Sequence, residues 1–310
     1  MIFFFYGPNS FEARSQIAKL VTQYQKKTGN DFGLDKIEGE KATVAELKAA
    51  LQAVPFLASS RLVIIESLGK NKAVSTQIDQ IIEGIPSTTV AVFYDPEVDH
   101  RTNYFKTLKE KAKVVEFKQL DHAKLMRWII KLVEDAGGEI DRAAVGRLLD
   151  LAGEDQWRLS NEIEKLLNYN MEVTVENIDL LVESSRTESI FNLVDAMSAG
   201  KRQLAIKIYT RLRTNGENEM YILSMIIWQL RNQLLAKSAG RITAPQLAKE
   251  AGMSPYVAGK VLATRHLYTE ERIKESFIKA IDTEMAIKSG EGDSDYMVEQ
   301  LVSSLSGTST

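Results

Sequence analysis

The chain has 310 residues, a net charge of −3 at pH 7 and no cysteine, and 44% of its residues are hydrophobic. This length allows two or three domains with separate cores. The absence of cysteine excludes disulfides and thiolate metal sites. The longest apolar runs are much too short to span a membrane, and Met1 leads directly into a strand pattern without a signal peptide. We therefore expect a cytoplasmic protein with no membrane association.

The first 120 residues alternate between strand and helix patterns. Strands are predicted at Ile2–Tyr6, Phe32–Ile37, Arg61–Glu66, Thr89–Tyr94 and Val114–Phe117. Helices are predicted between them, at Phe11–Lys26, Thr43–Ala53, Val74–Ile85 and Asn103–Lys111. Short continuous apolar runs, such as Leu62–Ile65, are typical of strands that are buried on both faces of a parallel sheet. The alternation predicts a doubly wound α/β domain over residues 1–120.

The chain opens with the strand, tight turn and helix of a phosphate-binding loop. Asn9 and Glu12 have the spacing of a capping box, and helix N-termini favour anions. A working P-loop also needs several glycines and a Gly-Lys-Ser/Thr sequence, because the Lys contacts phosphate and the hydroxyl contacts magnesium. The turn Gly7-Pro8-Asn9-Ser10 has one glycine and no Lys. We expect a structural relative of an ATPase that lacks the ATP chemistry.

No group of residues has the pattern of a catalytic or metal site. Glu66 ends the strand where a magnesium-binding acid would stand, and we interpret it as a solvated strand end. The three histidines lack metal-ligand spacing, and no Gly-x-Ser-x-Gly motif is present. Asp95 and Asp99 flank Pro96 and are explained by turn chemistry. We expect no catalytic residue, no cofactor and no metal.

Helical patterns dominate from Asp121 onward. Four helices are predicted for a small domain over residues 121–186, at Lys124–Val133, Asp141–Leu151, Asp155–Leu167 and Val175–Val182. Six more are predicted for a bundle over residues 187–310, at Ser189–Ala199, Lys201–Thr214, Glu219–Ala239, Ala244–Ala251, Ser254–Arg265 and Thr269–Ser289. Apolar residues cover more than half the circumference of Met220–Leu235, which places this segment at the bundle centre. Ser304–Thr310 is expected to be a frayed tail.

Residues 244–262 have the pattern of a helix-turn-helix, with a glycine turn between two short helices. The second helix offers only Lys260 and Arg265 as basic groups, which leaves little for contacts with base edges. A packing role is favoured over base recognition. A helix-turn-helix DNA-binding regulator and an ATPase with an atypical loop stay open as alternative functions.

Motifs in all three regions together resemble one family, the delta subunit of the bacterial DNA polymerase III clamp loader. They are Phe5–Arg14, Pro55–Ile64, Lys113–Phe117, Trp128-Ile129, Leu159–Leu166, Phe191–Ala196 and Trp228–Arg231. The resemblance implies an AAA+-like α/β domain, a helical lid domain and a helical collar domain. It also implies assembly with the tau/gamma and delta prime subunits into a five-membered ring.

The resemblance implies a non-catalytic subunit that binds and opens the sliding clamp (beta) for loading onto primed DNA. In the family, an apolar pair in the loop before the third strand contacts the clamp, and Phe56 and Leu57 occupy that place here. Residues 199–241 carry eight Lys/Arg against two acidic residues, so the collar is expected to meet the phosphate backbone. The candidate DNA contacts are Lys201, Arg202, Arg211, Arg213, Arg231 and Arg241.

Overall fold

The computed structural model describes residues 1–29, 31–55, 59–184, 186–253, 255–267 and 269–306. It divides into two compact units, Met1–Leu120 and Asp121–Thr310. The predicted lid (121–186) and collar (187–310) both fall inside the second unit, so their separation into two domains stays a prediction. In the described part of the chain, no helix is long and apolar enough to cross a membrane.

The first unit contains a sheet of five parallel strands in the order β2-β3-β4-β1-β5. The strands are β1 (Ile2–Tyr6), β2 (Leu34–Glu38), β3 (Arg61–Glu66), β4 (Thr89–Asp95) and β5 (Lys113–Glu116). The helices are α1 (Ser10–Thr28), α2 (Val44–Gln52), α3 (Lys72–Ser75), α4 (Ile78–Ile82) and α5 (Asn103–Lys111). This arrangement confirms the predicted α/β class with a parallel sheet.

Side chains alternate across the central strands and bury both faces of the sheet. On one face, Phe5 and Ile64 pack with Ile17 of α1. On the other face, Phe4 and Val63 join a core to which α2, α4 and α5 all contribute. Burial on both faces explains the continuous apolar runs in these strands.

The helix predicted at Val74–Ile85 is instead two short helices, α3 and α4, and this prediction is wrong. In a continuous helix the N–H of Gln77 would bond to the carbonyl of Ala73. That carbonyl accepts instead from the Thr76 hydroxyl (3.2 Å) and the Gln77 side-chain amide (3.0 Å). Side-chain competition for one backbone acceptor therefore interrupts the helix.

Most of the second unit is helical. Its elements are α6 (His122–Asp135), β6 (Glu139–Ile140), α7 (Arg142–Ala152), α8 (Gln156–Tyr169), β7 (Glu172–Val173), α9 (Val175–Leu181), α10 (Arg186–Ser198), α11 (Arg202–Thr214), α12 (Glu219–Ser238), α13 (Ala244–Ala251), α14 (Pro255–Thr264), α15 (Glu270–Lys288) and α16 (Ser294–Leu305). Helix α12 contributes buried residues such as Ile222 and Ile226 to a core shared with α10, α11, α15 and α16. This confirms its predicted central position.

Sequence reasoning missed α16 and predicted a frayed tail over Ser304–Thr310. The structure continues α16 to Leu305 and buries Ser306, whose hydroxyl donates to the carbonyl of Val302 (2.6 Å). The tail prediction is therefore wrong for residues 304–306, and residues 307–310 lie outside the described part of the chain. The apolar spacing of Val298, Val302 and Leu305 gave a signal for a helix that the Ser-rich ending obscured.

Candidate functional site

The turn between β1 and α1 is covered by residues 117–119, which we call the covering segment. The backbone N–H of Asn9 donates to the carbonyl of Phe117 (3.0 Å), and the Asn9 side-chain amide donates to the carbonyl of Lys118 (3.2 Å). The Gln119 side chain donates in return to the carbonyl of Pro8 (3.1 Å). A phosphate cradle needs N–H groups directed at the ligand. Here protein carbonyl oxygens accept the hydrogen bonds from Asn9.

Gly7 allows the covering segment to approach the turn. Its φ is +114°, and an added Cβ would lie 2.5 Å from the Phe117 carbonyl oxygen. Asn9 is 1% exposed, and its Oδ1 accepts from the N–H of Glu12 (3.1 Å), which confirms the predicted N-cap. The reciprocal half of the capping box is wrong, because the Asn9 N–H bonds to Phe117.

The acidic ends of β3 and β4 are held by interactions within the protein. Glu66 lies 3.0 Å from the Arg14 guanidinium. Asp95 is buried and accepts hydrogen bonds from the N–H of Gly69 (2.8 Å) and the hydroxyl of Tyr104. Burial raises the pKa of the Asp95 carboxyl, and these hydrogen bonds oppose the rise. Among the described residues, no cluster of three or more His, Cys, Asp or Glu side chains could hold a metal ion.

Phe56 and Leu57 lie outside the described residues, but both sides of their loop are described. Val54 is 77% exposed, and Phe32, in the loop before β2, is 59% exposed. The Tyr24 hydroxyl is within hydrogen-bond distance of the Phe32 and Ser60 carbonyl oxygens. This contact joins the loop before β2 to the loop before β3, and each of these loops carries an exposed apolar side chain.

The six candidate DNA contacts differ in how their charges are compensated. Four are exposed and have no ion-pair partner in the part of the chain that the structure describes: Lys201, Arg202, Arg231 and Arg241. The Arg211 guanidinium lies 3.4 Å from Glu183, and the side chains of both residues are largely exposed.

Arg213 has a different environment, because two carboxylates and a carbonyl hold its guanidinium. Its Nε lies 2.8 Å from Asp295 and its Nη1 lies 2.9 Å from Glu219, and it also donates to the Glu217 carbonyl. The Tyr209 hydroxyl donates to the same Asp295 carboxylate (2.6 Å), which lowers the pKa of Asp295. These contacts give Arg213 a structural role that links α11, α12 and α16.

Helices α13 and α14 form the predicted hairpin and bury the face between them. Leu247 and Val261 lie in a core with Ala236 of α12. The turn contains Gly252 with φ +68°. Burial of the facing sides supports the packing role expected from the sequence.

Lys260 in α14 and Arg265 directly after it are both engaged within the protein. Lys260 lies 3.3 Å from Asp150 of α7 and 5.0 Å from the centre of the Tyr256 ring. The Tyr256 hydroxyl donates to Asp150 (2.9 Å), and the Arg265 guanidinium donates to the carbonyl of Gly240 (2.8 Å). Neither cation is presented as a helix-turn-helix protein would present it to a DNA groove.

Family models match two parts of the chain. The model described as "DNA polymerase III, delta subunit" matches residues 3–118. The model described as "DNA polymerase III delta subunit, C-terminal domain" matches residues 187–305.

Two curated proteins and one solved structure are similar to this chain over 73% to 98% of its length. DNA polymerase III subunit delta of Bacillus subtilis is 21% identical over 314 residues, covering 96% of this chain and 90% of that protein. The probable DNA polymerase III subunit delta of Aquifex aeolicus is 21% identical over 241 residues, covering 73% and 67%. The structure of the B. subtilis DNA clamp loader delta protein matches with a TM-score of 0.68 at 21% identity, covering 98% and 95%. This last similarity shows a shared fold.

Proposed function

Because this chain belongs to the family of DNA polymerase III delta subunits and is a clamp loader component, we propose that it binds the sliding clamp and opens it for loading onto primed DNA. The proposed clamp contact is Phe56 and Leu57, in the loop between α2 and β3. Its main structural support is that Val54, before the pair in the same loop, and Phe32, in the loop that Tyr24 joins to Ser60, are both exposed. Exposed apolar side chains on a loop are suited to insertion into a partner's pocket.

The far end of this loop is anchored, which favours binding by a preorganised surface. The Tyr24 hydroxyl lies 2.9 Å from the carbonyl oxygen of Ser60. Arg61, at the start of β3, forms an ion pair with Asp35 of β2. Anchoring lowers the entropy that is lost when a loop docks. We therefore propose that the sheet edge supports the loop while the apolar pair enters the clamp.

The double substitution Phe56→Ala, Leu57→Ala tests this contact. Fully burying each side chain contributes roughly 1.5–3 kcal/mol, so losing both corresponds to about two to four orders of magnitude in affinity. Titration calorimetry with the sliding clamp of the same organism measures the loss, and Leu180→Ala, at an exposed leucine of α9, is the matched control. Clamp affinity that stays within threefold of wild type would refute the contact. So would a variant that unfolds while its residual folded fraction binds the clamp normally.

We also propose that this chain neither binds nor hydrolyses ATP. The covering segment accepts hydrogen bonds from Asn9, and the Arg14 guanidinium pairs with Glu66 at the β3 end. Calorimetry with Mg-ATP tests the proposal on the isolated chain. Micromolar binding that disappears on changing Asn9 or Ser10 would show a functional nucleotide site.

Primed DNA is proposed to contact Lys201, Arg202, Arg211, Arg231 and Arg241 in the assembled loader. Arg213 stays a predicted contact, although its guanidinium also pairs with Asp295 and Glu219. Each phosphate contact adds about −0.9 to the slope of log K against log salt. Replacing Arg231 and Arg241 with Gln is expected to make that slope less steep by about 1.8, the value of two phosphate contacts. Lys249→Gln on α13 serves as the control. A slope unchanged by the double substitution would exclude both arginines from the interface.

A further inference from the structure

Exposed apolar side chains of the first unit lie where its parallel strands begin. Four large apolar side chains are exposed among the described residues of this unit, and three of them lie in segments that lead into strands: Met1 before β1, Phe32 before β2 and Val54 before β3. Because the strands are parallel, they all begin at one edge of the sheet. This edge therefore presents apolar side chains that the core of the unit does not cover.

Phe32 stands at the tip of a tight turn. The N–H of Leu34 donates to the carbonyl of Asp31 (3.1 Å), and Gly33 has a φ of +86°. A positive φ is what a type II turn requires at its third residue. The second residue of this turn is Phe32, and its side chain is 59% exposed. An aromatic side chain displayed in this way has the form of an anchor that fills a partner's pocket.

Helix α1 holds the turn through two side chains near its C-terminal end. The Tyr24 hydroxyl lies 2.5 Å from the carbonyl oxygen of Phe32, and the Gln25 side-chain amide donates to the Asp31 carboxylate (2.8 Å). These contacts fix the backbone of the turn before any partner binds. Less conformational entropy is therefore lost when the aromatic ring docks.

Tyr24 also brings the turn next to the loop of the proposed clamp contact. Its hydroxyl lies 2.9 Å from the carbonyl oxygen of Ser60 as well, so the loop before β2 and the end of the loop before β3 are adjacent. Leu57 precedes Ser60 by three residues, a length of chain that spans at most about 11 Å. A partner that takes up the apolar pair therefore extends over the turn.

We propose that Phe32 is a second apolar anchor for the sliding clamp, inserted into the clamp surface beside Phe56 and Leu57. Its role as a clamp contact rests on the proposed function of this chain. The clamp is the expected occupant because the turn is continuous with the proposed clamp contact through Tyr24 and Ser60. Tyr24 is a positioning residue, since it holds the turn without presenting its own buried ring to the partner.

Calorimetry with the sliding clamp of the same organism compares Phe32→Ala with the wild-type chain. Burial of the exposed part of the ring corresponds to about a five- to twentyfold change in affinity, so the variant is expected to bind that much more weakly. Tyr169→Ala is the matched control, because this aromatic side chain of α8 is also 59% exposed and lies in the second unit. Clamp affinity of Phe32→Ala within twofold of wild type would overturn the proposal.

A fluorescent label reports directly whether the clamp covers the turn. The chain has no cysteine, so Phe32→Cys accepts an environment-sensitive fluorophore at a single position, and Tyr169→Cys gives the matched control. A saturating concentration of clamp is expected to shift the emission at position 32 to shorter wavelength and to leave the emission at position 169 unchanged. An unshifted label at position 32 would overturn the proposal. So would a shift that follows the concentration of this chain without clamp, because it would assign the turn to a contact between two copies.

These measurements separate the second anchor from the proposed apolar pair. If the Phe56→Ala, Leu57→Ala variant loses clamp binding while Phe32→Ala binds normally, the pair is the contact and the second anchor is wrong. If Phe32→Ala binds more weakly while the double variant binds normally, the turn is a clamp contact and the pair is not. Normal clamp binding by both variants would overturn both proposals.

Discussion

The Asn9 side chain joins the start of α1 to the covering segment, and its replacement tests how that segment is held. Asn9→Ala removes the acceptor for the Glu12 N–H and the donor for the Lys118 carbonyl. Loss of an N-cap costs about 1 kcal/mol. Lys118 is exposed and this hydrogen bond is only partly buried, so its loss costs about 0.5–1.5 kcal/mol. We therefore expect Asn9→Ala to lose a total of about 1.5–2.5 kcal/mol in the free energy of unfolding.

Asn9→Ser separates the two contributions. Serine caps a helix about as well as asparagine, but its shorter side chain does not carry the amide that donates to Lys118. We therefore expect Asn9→Ser to lose about 0.5–1.5 kcal/mol, less than Asn9→Ala by roughly the value of the cap. The difference in stability between the two variants gives the contribution of the N-cap. The loss that remains in Asn9→Ser gives the contribution of the hydrogen bond to the covering segment.

Guanidinium denaturation followed by two signals measures these effects. All three tryptophans, Trp128, Trp157 and Trp228, lie in the second unit, so their fluorescence reports that unit, whereas far-ultraviolet circular dichroism reports the whole chain. The substitutions are expected to shift the part of the dichroism transition that belongs to the first unit. If Asn9→Ser is as stable as wild type within about 0.5 kcal/mol, a margin typical of neutral surface changes, the bond to Lys118 does not hold the covering segment.

Three further predictions use the same denaturation measurements. Gly7→Ala is expected to be more destabilising than Gly29→Ala, because its Cβ would meet a backbone oxygen at 2.5 Å whereas the Cβ at position 29 would meet nothing within 4 Å; equal losses would contradict the close approach. Asp295 has a lowered pKa in the folded protein. Its contribution to the free energy of unfolding is therefore fully present above its unfolded pKa of about 3.9, and it is lost as the pH falls through the folded pKa. Asp295→Asn should therefore be less stable than wild type at pH 7, and the difference should vanish in acid; a difference that persists there would exclude the charge as its cause. Lys260→Ala and Asp150→Ala should show a coupling of about 0.5–1 kcal/mol in a double-mutant cycle, because the pair is only partly buried; additive losses would show that the contact contributes nothing.

The elements of the first unit were predictable because local sequence determines most of them. The β3 and β1 patterns gave strand bounds that match the structure, since their apolar runs reflect burial on both sheet faces. The pattern did not reveal the break between α3 and α4. That break depends on which donors reach the carbonyl of Ala73, and hydrophobic periodicity carries no information about such competition.

Contacts between residues far apart in the sequence explain why the environment of Arg213 was not predictable from the sequence. Arg213 is a predicted DNA contact because residues 199–241 carry eight basic residues against two acidic ones, and the structure adds that its guanidinium is paired within the protein. Its carboxylate partner Asp295 lies 82 residues away, on a helix that the sequence did not predict. A charge on a helix face is available to a ligand only if no remote group pairs with it. The side chains that do so become visible only once the fold is known.

The covering segment supplies hydrogen-bond acceptors to a turn that resembles a nucleotide-binding loop. The first N–H groups of a helix have no partner within that helix, and in a phosphate-binding protein the ligand supplies acceptors. Here the carbonyl of Phe117 and the side chain of Asn9 supply them. A ligand stabilises a protein only by binding the folded state in preference to the unfolded one. Because these two acceptors belong to the chain, they support the proposal that the first unit does not bind ATP.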